Sequence, residues 1–130
     1  MSQDSFRALV VDDHATHRQL FYAILASLGL TVDVAVDGLE GVKAATTRAY
    51  ELILMDVSMP NMDGLAATKC IRDHELSAGW PRANIIMVTS HSAPADFSQS
   101  QRAGADGHVT KPIDIAGLVV AIESRYLEAA

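Results

Sequence analysis

One cysteine, Cys70, is all that the 130 residues contain. An internal disulfide is therefore excluded, and the thiol fits a reducing compartment. No run of lysine or arginine is present to act as a basic arm. With 10 basic against 16 acidic residues and a formal net charge of −6, general nucleic-acid binding through a positive surface is disfavoured. No stretch approaches the roughly 20 apolar residues of a membrane span. The opening Met1-Ser2-Gln3-Asp4-Ser5 lacks the basic and apolar regions of a signal peptide. Internal repeats, low-complexity segments and linkers are also missing. These absences lead to an expectation of a cytoplasmic protein without a nucleic-acid or membrane partner. The length suits one domain over residues 1–130, with little room for an output domain.

What is present is an alternation of short apolar runs and helical patterns. Apolar residues make up 49% of the chain, enough for a sheet covered on both faces. Strands are expected at Arg7–Val11, Thr31–Ala35, Leu52–Met55, Ile85–Val88 and His108–Thr110. Helices are expected at Thr16–Leu28, Leu39–Ala49, Gly64–Leu76, Pro94–Ala103 and from Asp114 through Tyr126. Leu20, Ile24 and Leu28 stand at helical spacing in the first, and Gly29 reads as its C-terminal glycine. Pro94 suits a first helical position, and Asp114 suits a cap. Strand–helix alternation of this length implies a parallel sheet with helices on both faces.

Charged residues then fall at the ends of the apolar runs. Asp12 and Asp13 follow Ala8-Leu9-Val10-Val11, Asp56 follows Leu52-Ile53-Leu54-Met55, and Lys111-Pro112 follows the His108 run. Charge is costly inside such a sheet, so these groups belong at its edge. The crevice beyond the carboxyl ends of parallel strands is where sites form. Three carboxylates and one ammonium gathered there suggest a divalent metal and a phosphoryl group.

These segments resemble the receiver domain of bacterial two-component response regulators, from Ala8 to about Leu127. The likeness rests on Val10-Val11-Asp12-Asp13, on the ten residues from Met55 to Gly64, on Val88-Thr89-Ser90, and on the run from Gly104 to Pro112. Any one of these is a weak signal. All four in this order on a five-fold strand–helix pattern are specific. The resemblance implies a flavodoxin-like α/β fold, doubly wound, with five parallel strands in the order 2-1-3-4-5.

It also implies roles. Asp56 would accept a phosphoryl group from the phosphohistidine of a sensor histidine kinase or histidine phosphotransfer protein. Asp13 would bind Mg²⁺ directly, Asp12 often through water, with Asp56 and the Ser58 carbonyl completing the protein ligands. Lys111 would reach a phosphoryl oxygen, and its bond to Pro112 would be cis. Thr89 would bind the new phosphoryl group and draw its loop inward. His108 stands where the family usually has Tyr or Phe as a switch ring, and a histidine there adds a titratable group. Ser58 and His91 would tune how fast water removes the phosphoryl group. A downstream protein would bind the face formed by the fourth helix, fifth strand and last helix, enlarged by any exposed part of Leu118-Val119-Val120.

Plainer roles compete at each position. Asp12 or Asp56 can be a local cap, Lys111 a solvated lysine, Thr89 an ordinary β-branched strand end, and His108 a half-buried strand histidine. The spacing of His14, His17, His74 and His91 forms no zinc motif, though His14 is placed to shape the pocket rim. Cys70 is expected to be buried or half-buried, and Trp80 to be a packing residue. Three rival functions remain. A phosphohydrolase of the haloacid dehalogenase type would need a second Asp where Ser58 stands. A pseudo-receiver would bind without taking phosphate. The chain can also be a receiver cut from a hybrid kinase.

Overall fold

A computed structural model describes residues 6–90 and 93–129, with side chains as far as Ile122. Ten elements alternate along it: β1 (Arg7–Val11), α1 (Ala15–Ser27), β2 (Thr31–Ala35), α2 (Gly38–Thr47), β3 (Leu52–Asp56), α3 (Gly64–Ala78), β4 (Asn84–Thr89), α4 (Pro94–Ala103), β5 (Gly107–Thr110) and α5 (Ile115–Ala129). The strands form one parallel sheet in the order β2-β1-β3-β4-β5. This is the flavodoxin-like arrangement that the resemblance implied. The strands run one to two residues longer than expected at β3, β4 and β5, because the ladder continues past the apolar residues: Asp56 pairs with Val88, and Thr89 with Thr110.

Alternation along the central strands divides the core in two. Leu9, Val11, Ile53, Met55, Ile85 and Met87 face α2 and α3, where Ala45, Ala67 and Ile71 meet them. Ala8, Val10, Leu52, Leu54, Ile86 and Val88 face α1 and α5, against Phe21, Leu25, Leu118 and Ile122. Each large side chain so buried contributes about 2 kcal/mol from apolar area removed from water. The inward face of α1 is Phe21, Ile24 and Leu25; Leu20 and Leu28 are each 37% exposed. The spacing of Leu20 and Leu28 therefore marked the flank of the buried stripe. Gly29 does follow the helix with φ +89, and the Leu30 N–H closes back on the Leu25 carbonyl at 3.2 Å.

Helices α2 and α3 are anchored by side chains at their amino ends. Asp37 caps α2 through the Glu40 N–H at 2.8 Å, and Asp63 caps α3 through the Ala66 N–H at 2.8 Å. At the amino end of β4 a polar network replaces apolar packing. Buried Arg72 donates to Glu75 at 2.9 Å, to the Ala83 carbonyl at 2.8 Å and to Asp106 at 2.7 Å. Asp106 also accepts from the Ile85 N–H at 3.0 Å. Burial works to raise the Asp106 pKa, but the Arg82 hydrogen bond, the Ile85 N–H and the charge of Arg72 outweigh it and hold it low. Cys70 is exposed on α3, contrary to the expectation of burial, because Thr68, Ile71 and Arg72 occupy the inward face. Trp80 packs edge-on against His74 with ring centroids 4.5 Å apart.

Candidate functional site

At the opposite, carboxyl end of the sheet the charged residues converge. β1 passes into Asp12, whose N–H still donates to the Ala35 carbonyl of β2 at 3.1 Å. That last ladder bond holds Asp12 in the strand direction and leaves its side chain 1% exposed. Asp13 turns outward, with 27% of its side chain exposed. Period-two alternation accounts for the difference. Asp56, the last residue of β3, is 3% exposed. Lys111 follows β5, and its N–H donates to the Thr89 carbonyl at 2.7 Å. Its ammonium lies 3.3 Å from Asp56 Oδ1. The Lys111–Pro112 bond is cis, as the resemblance implied.

A tight turn fixes the loop beyond Asp56. The Gly64 N–H donates to the Val57 carbonyl at 2.8 Å, and a Cβ on Gly64 would collide with the Asp56 carbonyl. Only glycine fits that close approach. Asn61, at φ +70, reaches across to Asp37 with its amide at 2.8 Å. This ties the loop to the start of α2. The Glu40 N–H, and then the Asn61 amide, hold the Asp37 pKa low.

The site is rich in unsatisfied carboxylate oxygen. Asp12 Oδ2, Asp13 Oδ1 and Asp56 Oδ2 are buried atoms with no hydrogen-bond partner among the described residues. Burial first, and the negative charge of Asp12 second, raise the Asp56 pKa; Lys111 opposes them without cancelling them. One ligand atom from each of Asp12, Asp13, His14 and Asp56 lies within 4.8 Å of the others. Opposite oxygens of an octahedral Mg²⁺ stand about 4.1 Å apart. A hard divalent cation therefore fits the three carboxylates of this set, with the His14 imidazole at their rim outside the oxygen shell, and its charge is what the crowded carboxylates lack.

The other candidates take their places around this centre. Thr89 is buried at the end of β4. Ser58 is exposed in the loop after β3. His108 on β5 is half-buried and stacks on Phe97 of α4, with centroids 3.8 Å apart and planes 20° apart. His91 lies outside the described residues. His17 enters the site although the spacing gave it no role. Its Nδ1 is 3.3 Å from Asp12 Oδ2 and 3.4 Å from Lys111 Nζ. The signal available was its placement one helical turn after His14. On α5, Val120 is 65% and Ile115 50% exposed. No helix among the described residues is long and apolar enough to cross a membrane.

The model of the response regulator receiver domain matches residues 8–123. Hybrid signal transduction histidine kinase G of Dictyostelium discoideum is 35% identical over 127 residues, covering 96% of this chain and 4% of that protein. The chain thus spans a small part of that curated relative. Among solved structures, the receiver domain of a sensor histidine kinase from Pseudomonas aeruginosa, with magnesium coordinated in its active-site cleft, is 31% identical. It aligns with TM-score 0.81 over 92% of this chain and 96% of that one. The chemotaxis protein CheY4 of Vibrio cholerae aligns with TM-score 0.82 at 27% identity, over 92% and 97% of the two chains.

Proposed function

The chain belongs to the response regulator receiver family, and from that membership we propose that Asp56 is its phosphoacceptor. The observation that carries this reading is a buried carboxylate with one oxygen free of hydrogen bonds and the other facing Lys111. Such a group is an aspartate nucleophile waiting for charge compensation. Receiver domains are signalling modules of phosphorelays, so the product is a modified protein rather than a released small molecule.

The donor is a phosphohistidine on a sensor histidine kinase or a histidine phosphotransfer protein. Asp56 Oδ2 attacks phosphorus in line, the new O–P bond forms, and the P–N bond to the donor imidazole breaks. Asp12, Asp13, Asp56 and the Ser58 carbonyl would hold Mg²⁺, which when bound supplies neutralising charge for the phosphoryl oxygens. Lys111 transfers its contact from the carboxylate to a phosphoryl oxygen. The Thr89 hydroxyl donates to another. His108 then repositions against Phe97, and the face of α4, β5 and α5 changes its affinity for a downstream protein. Ser58 and His91 set the lifetime of the acyl phosphate. Residues 1–130 act as a single cytoplasmic receiver unit whose output is protein binding, not contact with nucleic acid or membrane.

The test is intact mass after incubation with acetyl phosphate and Mg²⁺, beside Asp56→Asn. A phosphoryl-sized gain that requires Mg²⁺ and is lost in the variant supports the reading. If neither acetyl phosphate nor a phosphorylated histidine donor adds mass, the chain is a pseudo-receiver.

A further inference from the structure

We propose that Asp12, His14 and His17 form a second cation site, of mixed oxygen and nitrogen donors, that takes a borderline transition ion such as Zn²⁺ or Co²⁺. One ligand atom from each of the three lies within 4.8 Å of the other two. The ring centroids of His14 and His17 are 4.8 Å apart. Four ligands around tetrahedral Zn²⁺ stand about 3.3 Å from one another. Closing the set to that spacing would turn the His14 and His17 rings, whose side chains are 61% and 37% exposed.

Two details aim these donors at a cation. Lys111 Nζ lies 3.4 Å from His17 Nδ1, which places that nitrogen at the pocket wall beside the carboxylates. The same nitrogen lies 3.3 Å from Asp12 Oδ2, a buried oxygen with no hydrogen-bond partner. A cation placed between the two would draw on both atoms. Asp12 is held for this by the His14 backbone N–H, which donates to its Oδ1 at 2.9 Å and leaves Oδ2 as the free atom.

Imidazole selects among ions. Mg²⁺ prefers an all-oxygen shell, whereas Zn²⁺ and Co²⁺ gain from nitrogen donors. The oxygen set of Asp12, Asp13 and Asp56 and the mixed set of Asp12, His14 and His17 share Asp12. The two sites therefore exclude one another. Bound Zn²⁺ would withdraw Asp12 from the Mg²⁺ site and slow phosphorylation. The binding claim stands by itself; only this last consequence rests on the phosphoacceptor reading.

The test is calorimetric titration of the full chain with Zn²⁺ and with Mg²⁺, beside the His14→Asn/His17→Asn double variant, with Co²⁺ absorption as the spectroscopic readout. Zn²⁺ affinity is expected to fall at least tenfold in the variant while Mg²⁺ affinity stays within threefold. The Co²⁺ visible bands of the parent are expected to weaken and shift in the variant, and Mg²⁺ is expected to compete with Zn²⁺. Unchanged Zn²⁺ affinity and Co²⁺ bands would overturn the proposal, as would an equal loss for both ions, which would mean a displaced Asp12. Failure here leaves the acetyl phosphate result intact, and failure there leaves this one intact.

Discussion

Lys111 Nζ stands 3.3 Å from Asp56 Oδ1 and is the cation nearest the crowded carboxylates among the described contacts. An ammonium in that position competes with any metal for the same negative charge. Lys111→Met should therefore strengthen Mg²⁺ binding by roughly tenfold at the effective dielectric of a partly buried pair. Calorimetric titration reads this directly. Weaker binding in the variant would instead assign Lys111 the job of ordering the pocket.

Burial, followed by the charge of Asp12, raises the Asp56 pKa above its unfolded value. A carboxyl shifted upward favours folding when protonated. Its contribution is present below the unfolded pKa and lost as pH rises through the folded one. At neutral pH, without divalent cations, Asp56→Asn should melt higher than the parent by on the order of 3 °C. The gap should close below about pH 4, where the parent carboxyl is neutral. Thermal melts across pH in chelator check both halves.

Asp106 has the opposite sign. Its pKa is lowered in the fold, so its stabilisation is present above the unfolded pKa and disappears as pH falls through the folded one. Asp106→Asn leaves buried Arg72 without one carboxylate, and should cost about 2–3 kcal/mol at pH 7. Arg82 adds little to that figure, since 59% of its side chain is exposed. Urea unfolding at pH 7 and in strong acid should show the two proteins converge at the acid end.

Phe97 and His108 form the single ring stack between α4 and β5 among the described residues. Phe97→Ala should lose about 1 kcal/mol of stability. The His108 ring protons, now outside the shielding face of Phe97, should move downfield in the NMR spectrum. Asp56 should still take a phosphoryl group in the variant, because the stack does not touch the carboxylates. An unmoved His108 signal would mean that the two rings do not stack in solution.

The placement of Asp12, Asp13, Asp56 and Lys111 was legible because each ends an apolar run, and a parallel sheet sends all such ends the same way. The strand order needed the resemblance, since apolar runs do not say which neighbours which. Leu20, Ile24 and Leu28 stand at helical spacing, but a helix carrying apolar residues on two adjoining stripes does not declare which one docks. Phe21 and Leu25 settle it by meeting β1 and β3 side chains. Cys70 was misplaced for a similar reason: a small apolar residue says little about its face. The bonds from Asn61 to Asp37 and from Arg72 to Asp106 span 24 and 34 residues. No local pattern announces such pairs. His17 was passed over because zinc motifs pair histidines with one another, whereas its partner Asp12 lies on a strand end.

Asn61 bonds to Asp37, and Met62 rests over Gly38 so closely that no side chain fits between. On that flank of Asp56 the loop is bolted to the neighbouring helix. On the other flank α4 meets β5 through the Phe97–His108 stack, with no such polar clamp among the described bonds. If Asp56 takes a phosphoryl group as proposed, the flank tied through Asn61 would act as the fixed abutment and α4 as the side that yields.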